Sequence, residues 1–98
     1  MKPETKLTRE ILVTLRKKGG WWCKIHGGPS QRGIPDILGC YNGKFFAFEV
    51  KTAKGKLTEL QVHNLNRIHR AGGAAKVIRS VEEAINVVDK YGESKGED

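Results

Sequence analysis

Between residues 4 and 18, Leu7, Ile11, Leu12 and Leu15 recur at intervals of three and four, with mostly polar or charged residues between them. That period is helical, and Gly19-Gly20 after Lys17-Lys18 supplies the stop. The pattern then shortens. "WWCKI" (21–25) reads as a strand and "HGGPSQRG" (26–33) as a loop of turn residues. "DILGCY" (36–41) and "KFFAFEVK" (44–51) are two strands around Asn42-Gly43, a dipeptide that accepts left-handed backbone and so marks a tight hairpin. After the basic loop "TAKGK" (52–56), Thr58 and Gln61 have the spacing of a capping box. They open a helix whose apolar sector is Leu60, Leu65 and Ile68, and Gly72-Gly73 end it near Ala71. "AAKVIR" (74–79) is a last strand, and Ser80 with Glu83 repeats the capping-box spacing before a helix to about Tyr91. The order is αβββαβα, with no internal repeat and no linker. An α/β domain follows, one unit over residues 1–98, with a polar tail at 92–98 expected to be disordered.

Composition changes this picture in two ways. A chain of 98 residues buries only about 60–65% of its unfolded surface, so its core is modest and each polar group inside needs a reason. Eighteen Lys and Arg against eleven Asp and Glu leave a net charge of +7, which suits a polyanionic partner such as nucleic acid. No apolar run approaches a membrane span, and the N-terminus "MKPETKLTRE" lacks the apolar stretch of a secretion signal, so an intracellular protein is expected. Cys23 and Cys40 have no metal-site spacing and read as two reduced, buried thiols.

The hairpin has a consequence for charge. A two-residue turn at Asn42-Gly43 sets Tyr41 opposite Lys44, Ile37 opposite Phe48, and therefore Asp36 opposite Glu49. Opposed residues of an antiparallel pair have Cβ atoms about 4.5–5.5 Å apart, where like charges repel. Side chains alternate along a strand, so Phe46, Phe48 and Val50 take one face while Ala47, Glu49 and Lys51 take the other. Two opposed carboxylates have two remedies: one takes up a proton, or a cation sits between them. Oxygen ligands without His or Cys favour Mg²⁺ or Mn²⁺. The plainer alternative is a surface salt bridge in which Lys51 neutralises Glu49.

Two helices add polar groups. Glu4 projects into the middle of the sector made by Leu7, Ile11 and Leu15, and Gln61 falls between Leu65 and Ile68. An acid and an amide thus point from two helices toward the sheet.

A Gly-x-Pro-Asp turn, a hairpin and then Glu-x-Lys on an αβββαβ frame resembles the PD-(D/E)xK nuclease superfamily, with a restriction-endonuclease-like core, a central mixed sheet and here a C-terminal helix. Within it the chain is most similar to the virus-type replication-repair nuclease (VRR-NUC) family. The likeness runs from about Glu4 to Glu83 and rests on "PETKLTREIL", "CKIHG", "GIPDILG", "FEVK", "LTELQ" and "RAGGAAKVIRS" in that order. It implies metal-dependent phosphodiester hydrolysis with Mg²⁺ or Mn²⁺ and no organic cofactor. Asp36 and Glu49 match the motif's metal-binding acids, joined by Glu4 and the Val50 backbone carbonyl. Lys51 matches its lysine, Gln61 the glutamine of the following helix, and Lys24 a basic position on the strand before the motif. Arg32, Lys54 and Lys56 are placed to bind phosphates beside that site. The family's stand-alone domains imply a homodimer acting on branched or four-way (Holliday) junction DNA, since no appended domain is expected to choose the substrate. The rival readings are a non-catalytic nucleic-acid-binding module on the same fold and an RNA-binding domain with stacking aromatics. The intact Asp36, Glu49 and Lys51 set disfavours the first, and the core positions of Phe46 and Phe48 disfavour the second.

Overall fold

A proline in the first turn and a glycine after the last bracket helix α1 (Pro3–Lys18). Pro3 sits where a missing N–H costs nothing, and Gly19, at φ +113°, returns its N–H to the Leu15 carbonyl. The computed structural model describes residues 1–92, so the expected disordered tail lies, from residue 93 onward, outside the described residues. Strand β1 (Trp21–Lys24) follows, then a 3₁₀ turn at Pro29–Gln31, strands β2 (Ile37–Tyr41) and β3 (Lys44–Val50), helix α2 (Glu59–Arg70), strand β4 (Ala74–Ile78) and helix α3 (Val81–Tyr91).

The sheet order is β1-β2-β3-β4. The first two pairings are antiparallel and the last is parallel, which makes the mixed α/β sheet expected of a restriction-endonuclease-like core. Asn42 (φ 52°) and Gly43 (φ 79°) are both left-handed, as a type I′ turn requires, and the register runs from Tyr41 opposite Lys44 to Ile37 opposite Phe48.

One face carries the core. Phe46, Phe48, Val50, Ile37, Ala74 and Ile78 meet Ile11, Leu12 and Leu15 of α1 and Ala84 and Val88 of α3. Trp22 closes that layer, with ring centroids 5.6 Å from Phe46 and 6.0 Å from Phe48. Its indole N–H donates to the Gly19 carbonyl at 2.8 Å. Thr8 is buried in the same layer and is satisfied by donating its hydroxyl to the Glu4 carbonyl at 2.8 Å. Helix α2 contacts β3 and β4, and Ala47 and Glu49, on the β3 face away from this core, are buried as well. Among the described residues no helix is long and apolar enough to cross a membrane.

Three expectations need correction. Both cysteines are free but neither is buried: Cys23 is half-buried and Cys40 exposed, because both alternate to the sheet face away from the core, where α2 packs on β3 and β4. Leu60 is 44% exposed, since the first turn of α2 overhangs the Gly33 turn rather than the sheet. The Ser80–Glu83 box is half formed. Ser80 accepts from the Glu83 N–H, but the Glu83 carboxylate accepts from the Arg79 N–H at 2.6 Å, one residue earlier than a full box requires.

Gly39 faces Trp22 across the β1–β2 pair. A Cβ there would lie 2.1 Å from the indole, so Gly39→Ala must push the ring out of the core. Overpacking of this kind costs about 1–3 kcal/mol. Thermal melts should show Gly39→Ala clearly less stable than wild type, with the intrinsic tryptophan emission shifted toward that of exposed indole.

Candidate active site

The antiparallel ladder between β2 and β3 ends at Ile37 and Phe48, and there Pro35 turns the chain away. Asp36 remains beside the ladder. Its Oδ2 accepts the Val50 N–H at 2.8 Å, replacing the main-chain acceptor that a longer β2 would have offered. Its own carbonyl accepts from the Ile25 N–H at 2.8 Å, which ties the end of β1 to the same point. The N–H and C=O of one strand residue point the same way, so the Val50 carbonyl lies on the Asp36 side of β3.

Glu49 stands opposite Asp36 by continuation of the register, and it is 2% exposed. Its Oε2 accepts from Gln61 Nε2 at 3.1 Å. Gln61 also completes the α2 capping box: its Oε1 accepts from the Thr58 N–H at 2.9 Å, and its N–H donates to Thr58 Oγ1 at 3.2 Å. The cap therefore fixes which end of the amide faces the acid. With oxygen committed to the helix start, only the NH₂ is left for Glu49.

The other carboxyl oxygen, Glu49 Oε1, is buried without a hydrogen-bond partner. Burial, then the hydrogen-bonding contact and charge of Asp36, push the Glu49 carboxyl up to about 8; Lys51 pulls the other way, and Glu4 adds a smaller upward push. A proton on Glu49 can be shared with Asp36, but an ionised Glu49 leaves Oε1 with nothing to face. That is the state a cation would relieve. Two carboxylates and a carbonyl, without His or Cys, suit Mg²⁺ or Mn²⁺, which bind through one or two carboxylates and keep several waters. Among the described residues no three acidic, imidazole or thiol side chains converge as a ready metal cluster, so Glu4, half-buried in the first turn of α1, reaches the pair by its field rather than as a third ligand in contact.

Lys51 continues β3 by one residue. Its N–H donates to the Ile78 carbonyl at 3.0 Å, and its stem passes under Gly55, where an added Cβ would lie 3.2 Å from Lys51 Cδ. The loop beyond carries Lys54 and Lys56, both exposed. Arg79, which sequence reasoning missed, holds this loop: one of its guanidinium nitrogens donates to the Thr52 carbonyl at 2.6 Å and the Gly55 carbonyl at 2.9 Å. No periodicity marks such a residue, because its partners are backbone atoms more than 20 positions away. Lys24 ends β1 opposite Ile37, next to Asp36, and Arg32 is exposed just after the 3₁₀ turn. The structure thus brings Asp36, Glu49, Lys51, Gln61 and the Val50 carbonyl together, with Glu4 and Lys24 at the margin and Arg32, Lys54 and Lys56 on flanking loops.

A mixed sheet that ends in opposed carboxylates and a lysine is the fold and site plan of a PD-(D/E)xK nuclease. The chain belongs to the archaeal Holliday junction resolvase (Hjc) family, whose model matches residues 4–87. In fold it is similar to a solved VRR_NUC domain, at a TM-score of 0.77 and 20% identity, over 93% of this chain and 99% of that one. It is also similar to Archaeoglobus fulgidus Hjc, a Holliday junction resolvase from an archaeal hyperthermophile, at a TM-score of 0.56 and 30% identity, over 78% of this chain and 70% of that one. Among curated proteins none matches the sequence.

The raised Glu49 carboxyl makes stability depend on pH. Between its ordinary value of 4.5 and about 8 the folded protein holds a proton that the unfolded chain has lost, so stability falls as pH rises through that window. Without metal, the wild-type melting temperature should decline across this range. Glu49→Gln, which cannot ionise, should remove most of that decline, and an equal slope in both proteins would show that Glu49 is not the group responsible.

Proposed function

We propose that this protein is a metal-dependent DNA endonuclease that cuts branched DNA as a homodimer, with four-way junctions as the favoured substrate. The observation that carries the reading is the orphaned, buried oxygen of Glu49 beside Asp36, in a chain of the Hjc family. A sheet ending that existed only for stability would gain from a neutral residue there. The likeness to Archaeoglobus fulgidus Hjc supports the substrate.

In this reading Asp36, Glu49 and the Val50 carbonyl hold Mg²⁺ or Mn²⁺, with Glu4 acting through water. The bound ion would supply a Lewis acid and an acidified water. Gln61 keeps Glu49 turned toward the site. Lys51 orients the attacking water or meets the charge that develops on the phosphate. Lys24, Arg32, Lys54 and Lys56 bind flanking phosphates, and Arg79 holds the loop from which two of them project.

Glu49→Gln keeps shape and removes a ligand charge, so it should abolish cleavage of a labelled four-way junction in Mg²⁺ or Mn²⁺ while leaving the fold intact. Lys51→Met should also abolish cleavage yet retain Mn²⁺ binding by calorimetry. A Lys51 variant that cuts at the wild-type rate would reduce the pair to a salt bridge.

Each chain carries one acid pair, so cutting two symmetry-related strands calls for two chains, and a two-fold pair is the commonest arrangement. Exposed apolar side chains suited to such an interface gather beside α2, where Ile34, Phe45 and Leu60 are each 40–44% exposed. Of the two tryptophans only Trp21 is exposed, at 63%, and it lies on the open edge strand. Light scattering should give a dimer that Phe45→Glu weakens. Strand mapping on a junction should give paired, symmetric nicks with wild type. A monomer that makes single uncoordinated nicks would overturn the paired reading and leave the nuclease standing.

A further inference from the structure

Helix α1 and the end of strand β1 enclose a second concave surface, a groove of about 360 Å³ lined by Thr5, Arg9, Leu12, Val13, Arg16, Lys24 and His26. No acid lines it. The one ion pair among the described residues joins Lys18 to Asp89 elsewhere, so the positive charge in the groove is not neutralised by a neighbour. On the helix, Thr5, Arg9, Leu12 and Arg16 follow the three- and four-residue steps of a single stripe, which puts the backbone positions of the two arginines about 10 Å apart along the axis at 1.5 Å per residue. Arg16 is already oriented, because one guanidinium nitrogen donates to the Trp22 carbonyl at 3.2 Å and its other N–H groups remain available. The opposite wall adds Lys24 and His26, and Leu12 and Val13 give an apolar floor.

We propose that this groove binds the sugar–phosphate backbone of one DNA strand and leads it to the acids. Two spaced guanidinium groups, a lysine and a hydroxyl meet successive phosphates, while the apolar floor suits the deoxyribose between them. Two connections tie the walls of the groove to the site. Ile25, between Lys24 and His26, donates its N–H to the Asp36 carbonyl, and Glu4 precedes Thr5 on α1. A groove of about 360 Å³ between one helix and the end of one strand is far too small for a whole duplex, so it follows the strand that is cut and not the pairing of its bases. The proposal rests on the nuclease reading above and adds to it the path of the strand.

The test uses the full-length protein in a chelating buffer, where the DNA stays intact. Fluorescence anisotropy is followed from 50 to 200 mM salt on a labelled single strand, a duplex and a four-way junction. If Arg9 and Arg16 each neutralise one phosphate, the Arg9→Gln, Arg16→Gln double variant should flatten the salt slope by roughly 1.4 on single strands and 1.8 on duplex arms. Arg9→Lys should keep the slope, and Lys90→Gln, which removes a charge from the last turn of α3, should leave it unchanged. Arg9→Gln alone guards against a folding defect from the loss of the Arg16 bond to Trp22. Methylphosphonate linkages on one side of the scissile bond should weaken wild type but add little in the Arg9→Gln variant, as expected when both changes remove one contact. Wild type that binds and cuts a junction while Arg9→Gln and the double variant keep the full slope overturns the groove and spares the nuclease reading. Wild type that neither binds nor cuts any of the three DNAs overturns both.

Discussion

Everything in this domain is arranged around a carboxyl group that burial and a neighbouring acid both oppose. Glu49 lies at the end of β3, opposite Asp36, with α2 packed against the strand that carries it. Isolated buried charge is among the most expensive features a small fold can carry. The fold answers with two partial remedies: one amide donor from Gln61 and, nearby, the Lys51 charge. Neither satisfies Oε1. The surrounding backbone is correspondingly over-determined. Asp36 is fixed by the Val50 N–H, Gln61 by its cap, and Lys51 by the strand bond to Ile78. Freezing the neighbours keeps a poorly satisfied acid where chemistry can use it.

The two sides of the sheet divide the labour. The side packed against α1 and α3 is an aromatic and aliphatic layer whose close fit around Trp22 and Gly39 supplies cohesion. The side that carries Ala47 and Glu49 is small and polar toward the end of β3. A chain of this length cannot build two full cores. It uses one for stability and lets a capping box, a side-chain bond that extends a ladder and an Arg79 loop anchor fix the geometry of the other.

This division explains what the sequence discloses. The hairpin was legible because Asn42-Gly43 sets register locally, and register alone brings Asp36 to Glu49. Gln61 was legible as a cap residue and as a group aimed at the sheet, and it both caps α2 and donates to Glu49, because an amide has two different ends. The errors arose where a position depends on distant packing. Leu60 has a helical period that suggests burial, but its turn overhangs a loop. Cys40 is of a type usually buried, but it alternates to the sheet face away from the core, where α2 packs on β3 and β4. Glu83 satisfies the capping-box spacing, yet its carboxylate takes the preceding N–H. Arg9, Arg16 and His26 carry no such signal, because a groove between a helix and a strand edge has no signature in either element alone.

Charge ties the acid pair to the basic surface around it. A phosphate brought up to Asp36, Glu49 and Glu4 meets three acids, and the arginines and lysines on the flanks offset their repulsion only in part. A divalent ion at the acids would reverse the local sign, so metal and DNA should each favour the binding of the other. Such coupling is reciprocal: whatever factor the ion adds to DNA affinity, DNA must add to affinity for the ion. The proton on Glu49 competes with that ion for the same oxygens, and for this reason a buried acid held near 8 is more than a static cost. That proton removes one of the two charges the pair would otherwise carry, which spares the folded domain a permanent repulsion between two carboxylates.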